Sequence, residues 1–140
     1  MINHFNIIID ATPKKGDIKF MDNLINNLKI NTMGNFEIKK ATNGEHYFNL
    51  KADNYQVILT SQMYSSKPAC FNGIESVRVN CSDDTRYERK ESVNDKHYFV
   101  LKASNGQIIG NSEMYASKAG MENGIVSVKK NGPNKTVIEE

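Results

Sequence analysis

Along residues 36–80 the apolar positions first recur every second residue and then every third or fourth. Phe36 and Ile38 alternate with Glu37 and Lys39, which predicts a short strand over 36–41. Thr42-Asn43-Gly44-Glu45 follows, and Asn-Gly is the usual pair for a type I′ hairpin turn. A second strand over 46–52 sets Phe48, Leu50 and Ala52 on one face and Tyr47, Asn49 and Lys51 on the other. After a turn at Asn54-Tyr55, Gln56–Gln62 reads as a third strand, carried by Val57, Ile58 and Leu59. Tyr55 stands where glycine is expected and should strain that turn.

The period then changes. Cys70, Ile74 and Val77 lie at i, i+4 and i+7, as do Met121, Ile125 and Val128. Each set marks one apolar stripe of a helix, near 66–80 and near 117–131. Ser66 and Ser117 are the expected N-caps, and Pro68 suits the first turn, where its missing N–H costs nothing. Gly132-Pro133 is a stop signal for the second helix. Gly73 and Gly124 fall inside the helices at a cost of roughly 1 kcal/mol each relative to alanine. Close approach of helix and sheet explains them, and so does inheritance from a common ancestor unit.

The two stretches are one unit written twice. Residues 36–84 align without a gap on residues 87–135, and 23 of the 49 pairs are identical. Each unit alone is too short to bury much surface, so the two are expected to share one core. The organisation read from this is an N-terminal extension over 1–35, a first repeat over 36–85 and a second over 86–140, the repeats forming one α+β domain. Thr136–Glu140 aligns on Thr85–Arg89, so the segment that opens the second repeat has a counterpart after it ends. Arg86–Glu91 is accordingly expected to serve both as the last strand of the first unit and the first strand of the second. In the extension, Phe5–Asp10 reads as a strand, and Ile18, Met21, Leu24, Ile25 and Leu28 form a helical stripe that Asp17 can cap. Two readings of residues 1–32 stand side by side: an appended docking helix, or a translated leader or wrongly chosen start ahead of Met33.

Composition narrows the function classes. The 18 basic and 16 acidic side chains leave a net charge of +2, too balanced to argue for nucleic-acid binding by itself. No apolar run approaches the ~20 residues of a membrane-crossing helix, and Ile7-Ile8-Ile9 is too short for a signal-peptide core. A cytoplasmic protein without membrane contact is expected. Cys70 and Cys81 have neither redox nor zinc-finger spacing, and Cys70 falls on the apolar stripe, as a buried free thiol would. No cofactor or metal is expected: P-loop, dinucleotide, H-E-x-x-H and G-x-S-x-G patterns are all missing from the sequence. Tyr64-x-x-Lys67 and Tyr115-x-x-Lys118 are one residue short of a dehydrogenase pair, and adjacent Ser66 and Lys67 should diverge in direction. Glu37 and Glu88 are the recurring carboxylates, set beside lysines and expected to be solvated.

What remains is a surface. With helices over the Phe48 and Leu50 face, the opposite face carries Tyr47, Lys51, Tyr98 and Lys102. Tyrosine interleaved with lysine can stack bases and neutralise phosphates; it is equally the dress of a half-solvated sheet. Three functions follow. The first is a non-catalytic binding or interaction module of a regulatory or stress-related kind, with a protein partner or a second copy. The second is a binder of nucleic acid or another anion on that face, weak because the net charge is low. The third is an enzyme at a pseudo-two-fold axis, which needs His46 and His97, or Tyr64 and Tyr115, to converge; the histidine pair could also bind a metal or switch with pH. The first is preferred.

Taken together, F-E-I-K-K, N-G, Y-F-x-L-K-A, S-x-M-Y-S-S-K and N-G-I-x-S-V, present twice, resemble the YegP-like family of small bacterial proteins. The resemblance covers Met33–Glu140. It implies two β-β-β-α-β units sharing a single antiparallel sheet backed by two helices, with the C-terminal strands exchanged between units. It brings no established activity and no catalytic residue set. The departures are Tyr55 and Asp95 at turn glycines, and the segment before Met33.

Overall fold

Four turns of one kind govern the sheet. The structure, a computed structural model, describes residues 34–140; the strand and helix expected within residues 1–32 lie outside the described residues. The first unit forms β1 (Asn35–Lys40), β2 (His46–Lys51) and β3 (Val57–Ser61), and the second forms β4 (Tyr87–Glu91), β5 (His97–Lys102) and β6 (Ile108–Asn111). The connecting turns are not type I′, which needs positive φ at both central residues. Only the third turn residue has it: Gly44 and Gly106 at 87°, Tyr55 at 66° and Asp95 at 59°. Its N–H donates three residues back, Gly44 to Ala41 C=O at 3.0 Å and Tyr55 to Ala52 C=O at 2.9 Å. This is the three-residue hairpin loop closed by a left-handed bulge residue. Asparagine holds it from the side chain: Oδ1 of Asn43, Asn54 and Asn105 accepts from the N–H two residues on, each at 3.0 Å.

A second irregularity fills the core. Pairing slips by one residue between Leu50 and Lys51, and again between Leu101 and Lys102. Strict alternation would send Ile58 and Leu59 to opposite faces. The bulge turns both into the core, and it does the same for Ile109 in the second unit. Gly110 replaces Leu59 there, and a Cβ on it would run into the Thr60 carbonyl of the neighbouring strand.

With a last strand, β7 (Val137–Glu139), the described residues form a sheet in the order β4-β5-β6-β3-β2-β1-β7. β3 and β6 pair antiparallel, and Thr60 faces its own repeat equivalent Asn111, which marks the pseudo-two-fold axis. α1 (Lys67–Asn80) and α2 (Lys118–Asn131) cover one face. They bury Ile74, Val77, Ile125 and Val128 on Phe36, Phe48, Leu50, Phe99 and Leu101. The repeat-equivalent C-caps Cys81 and Gly132 pack so closely that a Cβ at 132 would meet the Cys81 sulfur.

Strand exchange is seen in β7 (Val137–Glu139), which leaves α2 of the second unit and pairs with β1 of the first. That pair is parallel, so the sheet is mixed, while every other neighbouring pair is antiparallel. Arg86–Glu91 does not fill both roles expected of it. A short 3-10 turn (Asp84–Arg86) leads straight from α1 into β4, which pairs with β5 alone. The six residues between α1 and β4 leave no length for a separate strand on β4's outer side.

Candidate functional site

Among the described residues no helix lies on the opposite sheet face, and the alternation of β2 and β5 sets Tyr47, Lys51, Tyr98 and Lys102 on it. β2 and β5 run in opposite directions with β3 and β6 between them. Tyr47 therefore shares one end of the sheet with Lys102, and Tyr98 shares the other with Lys51. Three strand spacings separate the members of each couple, about 14 Å. Between them a row crosses the axis: Asn49, Thr60, Asn111 and Val100. Thr60 Oγ1 donates to Asn49 Oδ1 at 2.9 Å, and both Asn49 and Val100 are buried in the row.

Neither lysine is a free cation. Lys51 Nζ lies 3.0 Å from Glu37 on β1, and Lys102 Nζ lies 2.9 Å from Glu88 on β4. Lys39 and Lys90 approach the same carboxylates at 3.5 and 3.8 Å. The hydrogen bond from Lys51 holds the Glu37 carboxyl below its ordinary range, and that from Lys102 does the same for Glu88. Glu37 is not solvated as expected: its side chain is 19% exposed, against 45% for Glu88. The sequence showed glutamates beside lysines on one strand, but the partner that matters sits one strand over and appears only with the register.

The groups considered for chemistry go elsewhere. His46 bridges to Tyr64 and His97 to Tyr115, each within its own unit. Because β2 and β5 are antiparallel, their first residues lie at opposite ends of the sheet, so the histidines do not meet. Tyr64 stacks on Phe48 at 6.4 Å, and its hydroxyl fills the space that a Cβ on Gly73 would need; the Tyr115 hydroxyl does the same at Gly124. That close approach is what the helix glycines permit. Ser66 Oγ accepts from Ala69 N–H at 3.2 Å, Ser117 Oγ from Gly120 N–H at 3.0 Å, and Lys67 pairs with Glu139 at 2.9 Å. Burial pushes the Cys70 thiol up to about 11, so it stays protonated at neutral pH. Among the described residues no three His, Cys, Asp or Glu side chains cluster as metal ligands. No helix among them is long and apolar enough to cross a membrane.

One pair of residues in the repeated motif had no role assigned from sequence. Ser61 and Ser112 are buried, and each accepts a strand N–H, from Phe48 at 2.9 Å and from Phe99 at 3.0 Å. Each then donates to the carbonyl of the residue that follows it, at 2.8 Å. They satisfy backbone groups that the bulged ladder leaves over.

Comparison with known proteins agrees with this picture. A family model described as a domain of unknown function (DUF1508) matches twice, over residues 41–88 and 92–139. The UPF0339 protein YegP of Yersinia pestis is 51% identical over 108 residues, 77% of this chain and 96% of its own. A UPF0339 protein of Stutzerimonas stutzeri, described as in the ptx operon 5′ region, is 51% identical over 106 residues, 76% and 96% of the two chains. The solution structure of yegP from E. coli superposes with a TM-score of 0.74 at 48% identity, over 77% of this chain and 93% of that one. With two matching copies, this fold and these relatives, the chain belongs to the DUF1508 family of UPF0339 (YegP-like) proteins.

Proposed function

We propose that this protein is a non-catalytic interaction module that contacts a protein partner through the open sheet face, with Tyr47 and Tyr98 as its anchors and Lys51 and Lys102 beside them. The observation that carries the reading is the pairing of both lysines with carboxylates of their own unit. A polyanion would have to compete with Glu37 and Glu88 for those cations, whereas a protein surface of mixed charge can be met by the same alternating pattern. Tyrosine is the side chain that interfaces favour as a central anchor. The buried thiols of Cys70 and Cys81 fit the reducing cytoplasm, which we take as its compartment.

The test is affinity capture from nuclease-treated lysate of the native host, comparing the natural chain with the Tyr47→Ala/Tyr98→Ala variant. A protein retained by the first and lost by the second supports the reading; equal retention by both overturns it. The nucleic-acid reading keeps a distinct signature. Submicromolar oligonucleotide binding, whose log–log salt slope shrinks by about one for each lysine removed in Lys51→Ala/Lys102→Ala, would replace the interaction module with a polyanion binder.

A further inference from the structure

The two edges of the sheet are unequal, and the internal repeat shows what the bare one lacks. On β1, β7 lies parallel, with Glu140 N–H donating to Ile38 C=O at 3.1 Å. Val137 packs against the core there, Glu139 pairs with Lys67 at 2.9 Å, and Glu140 pairs with Lys39 at 2.9 Å. The repeat equivalents of Ile38, Lys39 and Lys67 are Arg89, Lys90 and Lys118. Among the described residues no strand lies beside β4 on its outer side. In that place is a groove of about 250 Å³ lined by Arg89, Lys90, Glu91, His97, Lys118 and Met121. It is the position that the acidic end of β7 fills in the first unit, with the same lysines around it and no carboxylate partner for Lys118 among the described residues.

We propose that the outer edge of β4 is a strand-addition site for an extended acidic segment of a partner protein, bound parallel to β4 with its carboxylates on Lys118 and Lys90. The reading is independent of the sheet face. The 3-10 turn sets where the site begins: Tyr87 N–H is already given to Asp84 C=O, so the open ladder starts at Arg89. Four charged residues, Glu88 to Glu91, repel an apolar strand and leave a charged one as the fitting occupant. Main-chain hydrogen bonds supply the affinity in strand addition, and side-chain pockets supply the choice of sequence. The end of β7 defines that choice: two successive carboxylates, the first set opposite Arg89 as Glu139 is set opposite Ile38.

The test titrates the full chain, nitrogen-15 labelled, with an acetylated peptide of the sequence of residues 135–140. The expected result is saturable amide shifts confined to Arg89–Glu91 and the start of α2. Affinity should fall about five-fold or more in Lys118→Glu and stay unchanged in Lys130→Glu. Lys118→Gln, which adds no repulsion, should give an intermediate loss and serves if Lys118→Glu folds poorly. A control peptide with lysines for both glutamates should not bind. Shifts centred on β1, which would mean that the peptide displaces β7, overturn the proposal, as does equal binding of the control peptide or the lack of saturable shifts. Concentration-dependent dimerisation of the chain alone, lost in Lys118→Glu, would assign the edge to a second copy and also overturn it.

Discussion

Tyr55 and Gly73 show how much single positions bear in this small domain. Tyr55 holds φ at 66° in a place where its repeat equivalent is Gly106, and the residue is 64% exposed, so little burial offsets the strain. A side chain in the left-handed region costs roughly 1–2 kcal/mol, part of which glycine returns as unfolded-state entropy. Tyr55→Gly should therefore stabilise the fold by about 0.5–1 kcal/mol, read from urea unfolding midpoints. Gly73→Ala goes the other way. Alanine gains helix propensity, but its methyl group would collide with the Tyr64 ring, and overpacking of this kind costs about 1–3 kcal/mol. The loss should shrink when Tyr64→Phe removes the hydroxyl, and Gly124→Ala with Tyr115→Phe should repeat the result. Both positions were legible as anomalies in the sequence: a tyrosine among turn glycines, and a glycine inside a helix. What filled the space above the glycine was not, since Tyr64 and Gly73 become neighbours only when the strand's end folds back under the helix.

At the scale of elements, β7 is small but well placed. Val137 packs on the core, and its backbone closes the edge of β1. Removing residues 136–140 should cost about 2 kcal/mol, from lost apolar burial more than from the exposed ion pairs. It should also raise self-association in sedimentation, because a bare edge strand recruits another. An equally stable, monomeric truncation would contradict the pairing of β7. The other margin is held by charge: Asp84 meets Arg89 at 3.0 Å and Lys129 at 2.8 Å, and Arg89 meets Glu122 at 2.5 Å. The bonds from Arg89 and Lys129 hold the Asp84 carboxyl at about 2, below its ordinary 3.8. Because the folded value is the lower one, the stabilisation is fully present above about pH 4 and drains away as pH falls toward 2. Asp84→Asn should flatten the acid limb of a stability–pH profile and leave the alkaline limb as it was. Strand and helix positions followed from the period of the apolar residues, and the Ser66 and Ser117 caps from residue type. The turn class and the bulge at Ile58 did not follow. Asn-Gly serves both a type I′ turn and a three-residue loop, and the φ of the asparagine decides between them. Three apolar residues in a row at Val57–Leu59 likewise cannot say which one is extra.

For the whole molecule, duplication carries the fold. One shared sheet was readable from the repeat, because neither unit could bury a core alone. The pairing of Lys51 and Lys102 was not, because it depends on Glu37 and Glu88 reaching a lysine on the next strand. Nor was the separation of His46 from His97, which follows from the axis passing between β3 and β6 rather than through the strand ends. The face that results places Tyr47 and Tyr98 in equivalent settings at opposite ends of the sheet, so both should contribute alike to a contact that spans it. The most direct measurement is the affinity of the captured partner, purified, for the natural chain, Tyr47→Ala, Tyr98→Ala and the double variant, with unfolding midpoints checked for each. A contact through the two-fold face requires similar losses of about 1–2 kcal/mol from each single change and a near-additive sum in the double, given how far apart the rings stand. Unchanged affinity in the double variant, at unchanged stability, would contradict it.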